Sequence, residues 1–532
     1  MYPKYEVNPY PVSAPQYGRT ILLLGTSADG PVNVPLPITT PTRAQQIFGE
    51  EGSLYKKFVE AYETNSGLLI YLMRISGEHA EAELFGFPSM FDDAVSVLKL
   101  KAIYGGEAYN NIQAIFQVLD TDGDVSLTLS FPEHTGLSPL SYKLSTYGNI
   151  AMLVKAINED TRAGINCLRA STLQPELPTS SLLGMGDVIE FSGGADGLEM
   201  TKNDMFIALE YAYTLLDGFY IDVVIPLGVY LDDVDPVLLH EVDKLGPGTY
   251  VAGRDYLDLK DTENGDRLVS FHGQLIKFCK RQVRFGVMTH GVIGLNPVAD
   301  VSQIEGLEYN YILYLLQQTA FRSRFDLSEF SGGNWIDSGY YVSVIGGEMI
   351  FNEGADNEYF GDWTVVYGAL LASLGRQYTT TNLKIPGPVK PRYHFTSGEL
   401  GELGRMGVVA MRESVRNGLV VSSGVTAALP ESDMHSIANV RQVQTAIAAL
   451  NQALDDYSGE LILPLIENGT LDEVAESVLS ELKNEGILID YRKNIEYDRI
   501  RGTGILSVDL LARQMVDFLP VRASLSFSGL GG

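Results

Sequence analysis

A multidomain fold of α+β / α/β class is what the amino-acid sequence predicts, on the strength of its size, its composition and the changing period of its apolar residues. The chain has 532 residues, room for about three to four domains at roughly 150 residues each. Apolar residues make up 45% and aromatics 10%, with 54 glycines and 23 prolines, which argues against a disordered, collagenous or coiled-coil chain. Apolar runs alternate with helical patterns near both ends and over residues 201–374. A period of two takes over between residues 95 and 129.

Residues 1–18 hold Pro3, Pro9, Pro11 and Pro15 among Tyr2, Tyr5, Tyr10 and Tyr17. Such a composition cannot make a helix, so the segment reads either as an extended arm whose aromatics need a surface to lie on or as a frayed terminus. From Arg19 the pattern tightens. An apolar run over 21–24 ends at Gly25, a proline-spaced loop reaches Pro41, and Thr42 offers an N-cap for a short helix ending at Gly49. A second helix over 53–63 leads to a strand over 68–75, apolar nearly throughout as expected where both faces are buried. Residues 19–90 thus hold a β-α-α-β unit.

Beyond Asp92 the chain alternates at Val95, Val97 and Leu98 to Lys101. Strands over 112–118 and 125–129 follow the glycine-rich GGEAYNN and the Asp122-Gly123 turn. Residues 91–198 read as a separate, mainly β insertion. In 199–375 helices and strands take turns: Phe206, Leu209, Tyr213 and Leu216 suit one helix face, then come a strand over 220–226, a helix over 268–278, a strand over 287–295 and helices over 307–320 and 363–374. Residues 201–266 contain 14 Asp or Glu against 4 Lys or Arg, a net of −10, a surface suited to bulk water.

From Ile385-Pro386-Gly387 a second compact block begins, within residues 376–515. Strands over 407–411 and 419–422 precede a helix over 437–457, in which Val440, Val443, Ile447, Leu450 and Leu454 recur at three and four. A further amphipathic helix spans 472–482, and strand-like segments span 487–497 and 504–513. In the last segment, 516–527, Val521, Ala523, Leu525 and Phe527 share one face and Arg522, Ser524 and Ser526 the other. A half-buried strand at that position pairs within its own sheet or adds to a neighbour's edge.

The net charge of −29 repels nucleic acid and anionic lipid alike. Cys167 and Cys279 are too few for a disulfide scaffold or a zinc ribbon, and no basic-then-apolar leader opens the sequence, so synthesis and folding in a cytoplasm are expected. No Gly-Lys dipeptide occurs, which removes the phosphate-binding loop, and neither a G-x-S-x-G elbow nor an H-E-x-x-H helix is present. Residues 120–124 start like a calcium loop, but Val125 stands where glycine is needed and Phe131 where the bidentate glutamate belongs, so a hairpin turn is the better reading. Asp232, Asp233 and Asp235 follow a predicted strand and fit either metal ligands of an α/β enzyme or the capped start of a helix at Asp235-Pro236. His272 and His290 flank apolar stretches and read as core residues.

Several segments, in order, resemble the contractile tail sheath protein family of myophages and related contractile injection systems. The opening GRTILLLGTSADGPVNVPLPITTPTRAQQIFGEEGSLYKKFVEAYETNSGLLIYLMRI is similar to the family's N-terminal segment, with Arg74 ending its second strand. Asn110-Asn111-Ile112 resembles the turn of the family's β-rich insertion, Gly193-Gly194-Ala195-Asp196-Gly197 its Gly-Gly-x-Asp-Gly junction, and IPGPVKP, LGRMGVVAMRESVRNGLVVSSGVT and NVRQV its C-terminal stretch. The resemblance implies a structural polymer and no enzyme or cofactor: hexameric rings stacked around an inner tail tube, contracting to drive the tube through a cell envelope. It implies a compact core from the N- and C-terminal blocks facing the tube, with the β-rich and larger α/β insertions outside. It also implies an N-terminal arm over 1–18 and a C-terminal arm strand over 516–532, which link neighbouring subunits through Tyr2, Tyr5, Tyr10, Tyr17, Val521, Ala523, Leu525 and Phe527. Arg405, Arg412, Arg416 and Arg441 are candidate tube-facing charges, each with the simpler reading of a solvated or intersubunit charge. The implied partners are copies of the chain, the tube protein, and baseplate and tail terminator proteins, with no direct nucleic acid and no membrane insertion. The implied location is a virion tail assembled in a bacterial host cytoplasm. The competing readings are a metal-dependent α/β enzyme using Asp232, Asp233 and Asp235, and another virion structural protein such as a baseplate or capsid component.

Overall fold

The computed structural model describes residues 19–87, 94–119, 124–131, 138–160, 168–182, 188–230, 271–295 without 284 and 286, and 328–512 without 332–333, 338, 353, 376–377, 429, 431, 456–467 and 499–502. These residues form nine α-helices and several β-sheets, a mixed α/β chain in two compact units. One unit holds the described residues up to 230 with 271–274 and 364–372; the other holds 275–363 and 373–512.

In the first unit, strand β1 (Thr20–Gly25) is buried along its whole length, as its Ile and Leu run requires. A short strand β2 (Leu36–Ile38), helix α1 (Pro41–Phe48), helix α2 (Leu54–Thr64) and strand β3 (Leu69–Arg74) follow. β1 and β3 pair in parallel with Ile21 opposite Ile70, and β2 lies antiparallel to β3 inside what the sequence reads as loop. Helix α1 is capped by Thr40, whose side chain accepts from the Arg43 N–H, rather than by Thr42. Pro41 takes the first helical position, where its missing N–H costs nothing, and that moves the cap one residue before it.

The β-rich part begins earlier than residue 91. Strand β4 (His79–Gly86) buries Ala80, Ala82 and Leu84 on one face and pairs antiparallel with β5 (Val95–Gly105). Alanines at alternate positions are too weakly apolar to announce that strand in the sequence. Strands β6 (Gln113–Leu119) and β7 (Asp124–Ser130) pair as a hairpin up to Leu119 opposite Asp124, and β7 pairs with β8 (Leu140–Lys143). Helix α3 (Ile150–Glu159), capped by Asn149, lies where the sequence reading has only strands and turns. Strand β9 (Leu168–Ser171) joins the β4–β5 sheet and β10 (Val188–Glu190) the β6 side of the other. One core, including Leu84, Leu98, Leu100, Leu127, Leu129, Ile150 and Leu153, unites both sheets and α3.

Helix α4 (Lys202–Leu215) starts in a capping box of Thr201 and Asp204 and buries Phe206, Leu209 and Tyr213. Strand β11 (Val223–Pro226) then pairs in parallel with β1, Val223 opposite Ile21. The sequence reading places 199–375 in a domain apart from 19–90, and this pairing corrects it; a strand buried on both faces carries no mark of the sheet it joins. The helix Thr364–Ser373 also belongs here. It is buried from Thr364 to Ala372, and a Cβ at Gly368 would lie 2.4 Å from Ile225 Cδ1 of β11.

In the second unit, strands His290–Gly294, Val342–Ile345 and Val408–Val409 pair in parallel. Val342–Ile345 comes from the presumed outer domain and Val408–Val409 from the C-terminal block, a second correction of the same kind. The expected helices form over Ile437–Asp455 and Thr470–Asn484, and strands Leu488–Asp498 and Thr503–Ala512 close an antiparallel hairpin. Ala446, Leu450, Ala475, Leu479, Leu482 and Leu488 form the core shared by helices and hairpin. The expected helix over 307–320 and strand over 516–527 lie outside the described residues.

Candidate functional site

Arg74 ends β3 with its side chain 0% exposed. Its guanidinium donates to three backbone carbonyls from three chain segments: Gly30 at 3.1 Å, Gly105, and Asp196 at 2.8 Å. Burial lowers its pKa to about 10, opposed by the carboxylates of Asp29 and Asp196, so it stays charged at neutral pH. Asp29 also accepts from the Tyr109 hydroxyl, whose pKa burial raises, and Asp196 Oδ1 accepts from the Glu107 N–H at 2.7 Å. Gly77 has φ +98°, and a Cβ there would stand 2.3 Å from Arg74 Nη2, so glycine alone lets the chain pass the guanidinium. The junction therefore ties the loop after β1, the end of β5 and the Gly-Gly-x-Asp-Gly return into one polar knot. The sequence names Arg74 and Asp196; Asp29 and Tyr109 carry no local signal, because they act from 45 and 35 residues away by their numbering in the chain.

The C-terminal hairpin is the second candidate. A two-stranded ribbon is marginal by itself, and here it is fastened to the helix Thr470–Asn484. Lys493 Nζ lies 2.7 Å from Asp472 Oδ2 and 3.2 Å from Glu476 Oε2. The Tyr491 hydroxyl donates to Glu476 Oε1 at 2.6 Å, and Lys483 reaches Asp490 at 2.9 Å. Among the described residues no third strand pairs with this ribbon.

The four arginines separate. Arg416 is exposed at the tip of the hairpin formed by Met411–Ser414 and Gly418–Val421, beside a fully exposed Val415. Arg412 donates to Asn382 Oδ1, and Arg405 pairs with Glu402 at 2.8 Å on an exposed helix face. Arg441 is only 7% exposed and donates to the Leu374 carbonyl at 2.9 Å, so it is a core residue and leaves the tube-facing set. Reversing the charge at Arg416 is expected to leave folding unchanged, since its side chain is exposed, and to weaken assembly on purified tubes severalfold, measured by co-sedimentation. Unchanged assembly would remove it from the set.

His290 is 3% exposed, and its Nε2 lies 2.9 Å from Ser343 Oγ, which in turn donates to the Val425 carbonyl at 3.2 Å. Burial pushes its pKa down to about 3, with Arg441 adding to the effect. His272 is likewise buried. The arm residues Tyr2, Tyr5, Tyr10, Tyr17, Val521, Ala523, Leu525 and Phe527, and the carboxylates Asp232, Asp233 and Asp235, lie outside the described residues. Among the described residues no group of three His, Cys, Asp or Glu is placed to hold a metal ion, and no helix is long and apolar enough to cross a membrane.

A multidomain α/β chain with this element order has the fold of a tail sheath protein. It superposes on the crystal structure of a sheath tail protein from Listeria innocua over 93% of this chain and 95% of that one, with TM-score 0.52 and 13% identity. A sheath tail protein from Desulfitobacterium hafniense matches over 94% and 99%, with TM-score 0.45 and 11% identity. The anti-feeding prophage helical sheath in its contracted state matches over 63% and 78%, with TM-score 0.38 and 14% identity. No protein-family profile and no curated protein matches the sequence.

Proposed function

We propose that this chain is the structural subunit of a contractile tail sheath. It polymerises as stacked hexameric rings around an inner tail tube and contracts to drive the tube through a cell envelope. The observation that carries this reading is the fold shared with a sheath tail protein across 93% of the chain, in the same order as the sequence segments that resemble the family. The subunit works from energy stored at assembly, held by a kinetic barrier, and performs no catalysis.

In this proposal the N- and C-terminal blocks face the tube and the remaining domains lie outside. Residues 1–18 and 516–532 act as arms that add strands to neighbouring subunits, with the C-terminal hairpin as the receiving edge. Backbone pairing suits the task, because subunits must rotate past one another without separating. Arg405, Arg412 and Arg416 remain candidates for weak, screened contacts with the tube. Copies of the chain, the tube protein, and baseplate and terminator proteins are the partners, and the virion tail is the location.

Negative-stain microscopy of the concentrated protein, with and without its tube protein, tests the reading. Hollow tubes with six-fold rings are expected. Truncation of residues 1–17 or 519–532 is expected to leave folded protein that forms no tubes. Closed or planar assemblies would point to a baseplate or capsid component, and monodisperse particles under every condition would overturn the proposal.

A further inference from the structure

Helix α4 carries a second apolar stripe besides the one it buries. Ile207, Tyr211 and Leu215 recur at i, i+4 and i+8 and are 57%, 55% and 48% exposed, while Phe206, Leu209 and Tyr213 face the core. Three large apolar side chains in line and half open to water form an uncovered helix face, unlike singly scattered surface residues.

The described chain begins where α4 ends. Strands β1 and β11 run parallel with Ile21 opposite Val223, and the N–H groups of Arg19 and Thr20 both donate to Asp222 Oδ2, at 3.1 and 3.0 Å. Only residues 216–222 separate α4 from β11, and they include a tight turn in which the Phe219 N–H donates to the Leu216 carbonyl at 2.9 Å. Residue 19 therefore emerges at the same end of the sheet at which α4 stops. Eighteen residues in polyproline form reach about 55 Å at roughly 3.1 Å each, against about 21 Å for the length of α4 at roughly 1.5 Å per residue.

The chemistry matches as well. Residues 1–18 hold four tyrosines and four prolines and only two charges, Lys4 and Glu6. Tyrosine covers apolar surface at low entropic cost, and proline limits the freedom lost on docking.

We propose that residues 1–18 lie along the Ile207, Tyr211 and Leu215 stripe of their own chain in the unassembled subunit. This seat keeps the arm off other copies until assembly presents a better edge. The hand-over on assembly rests on the sheath reading, whereas the seat itself requires only a single chain.

The test is photo-crosslinking of the full chain with p-benzoylphenylalanine in place of Tyr211, on a dilute mixture of unlabelled and isotopically labelled protein. The main product is expected to join position 211 to a peptide within residues 1–18 of the same label, with a yield unchanged on tenfold dilution. Mixed-label products would assign the stripe to a second copy, and products elsewhere would assign it to another segment; either overturns the proposal. Amide exchange in α4 is expected to be at least about fivefold slower in the full chain than in protein lacking residues 1–17, the signature of a covered helix. Equal exchange would also overturn it. Tube formation bears on the sheath reading and leaves this outcome untouched.

Discussion

Replacing Arg74 with methionine is expected to loosen the junction by about 3–5 kcal/mol, the range for removing one partner from a buried, hydrogen-bonded charge network. Methionine fills much of the volume but leaves the carbonyls of Gly30, Gly105 and Asp196 without their donor and the carboxylates of Asp29 and Asp196 without the nearby positive charge. An unmet buried acceptor bears its full desolvation penalty. Amide exchange at Glu78, Ala195 and Gly106, whose N–H groups bond Ala195 O, Glu78 O and Glu78 O in turn, is expected to rise at least about a hundredfold, since each tenfold corresponds to roughly 1.4 kcal/mol. Lysine keeps the charge but lacks the planar fork that reaches several carbonyls at once, and is expected to recover less than half of the loss. An unchanged exchange pattern in the methionine variant would show that the knot does not hold the junction closed.

Acid is expected to destabilise the second unit through His290. Ser343 donates its hydroxyl hydrogen to Val425 O, so His290 Nε2–H donates to Ser343 Oγ and Nδ1 is left as a bare lone pair without a partner among the described residues. Protonating Nδ1 places an N–H with no acceptor in a buried site that already feels Arg441. The folded pKa near 3 lies below the ordinary value of about 6.5, so between those values the unfolded chain binds the extra proton. The stabilisation is complete above about pH 6.5 and is lost progressively as pH falls toward about 3, reaching at most roughly 4–5 kcal/mol. His290→Gln keeps a donor toward Ser343 and removes the titration. With the titration removed, the variant lacks this acid sensitivity, so the denaturation midpoint of the wild type is expected to fall relative to that of His290→Gln as pH drops from 7 to 4. Parallel curves would show that His290 does not carry the acid sensitivity.

The parts of the fold legible in the sequence are those whose signals are local. The Ile and Leu run of β1, the glycine that ends α1, the three-and-four spacing of Ile437–Asp455 and the alternation in β5 each specify their element from neighbouring residues alone. Helix α3 shows how a local signal is lost: Asn149 is a good cap and Ile150, Leu153 and Ile157 a good stripe, but they sit among turn-rich strands and read as more of the same. Sheet membership is not local at all. Nothing in Val223–Pro226 states that it lies beside Thr20–Gly25, and nothing near His290 announces Ser343, 53 residues on. The assembly candidates divide likewise. Arg441 sits in a stretch that resembles the family, yet only packing reveals that its side chain is inside.

Glu78 and Ala195 exchange hydrogen bonds in both directions, at 2.8 and 3.3 Å, so the chain leaves for β4 and returns after β10 through one narrow neck. Everything between is a closed excursion whose ends are already joined, and the entropy of closing a loop grows only slowly with its length. The β-rich part is in this sense a cassette. Its far strands and turns can change in size and content with little effect on the strands it leaves behind, provided that Gly105, Glu107 and Tyr109 keep their bonds to Arg74, Asp196 and Asp29.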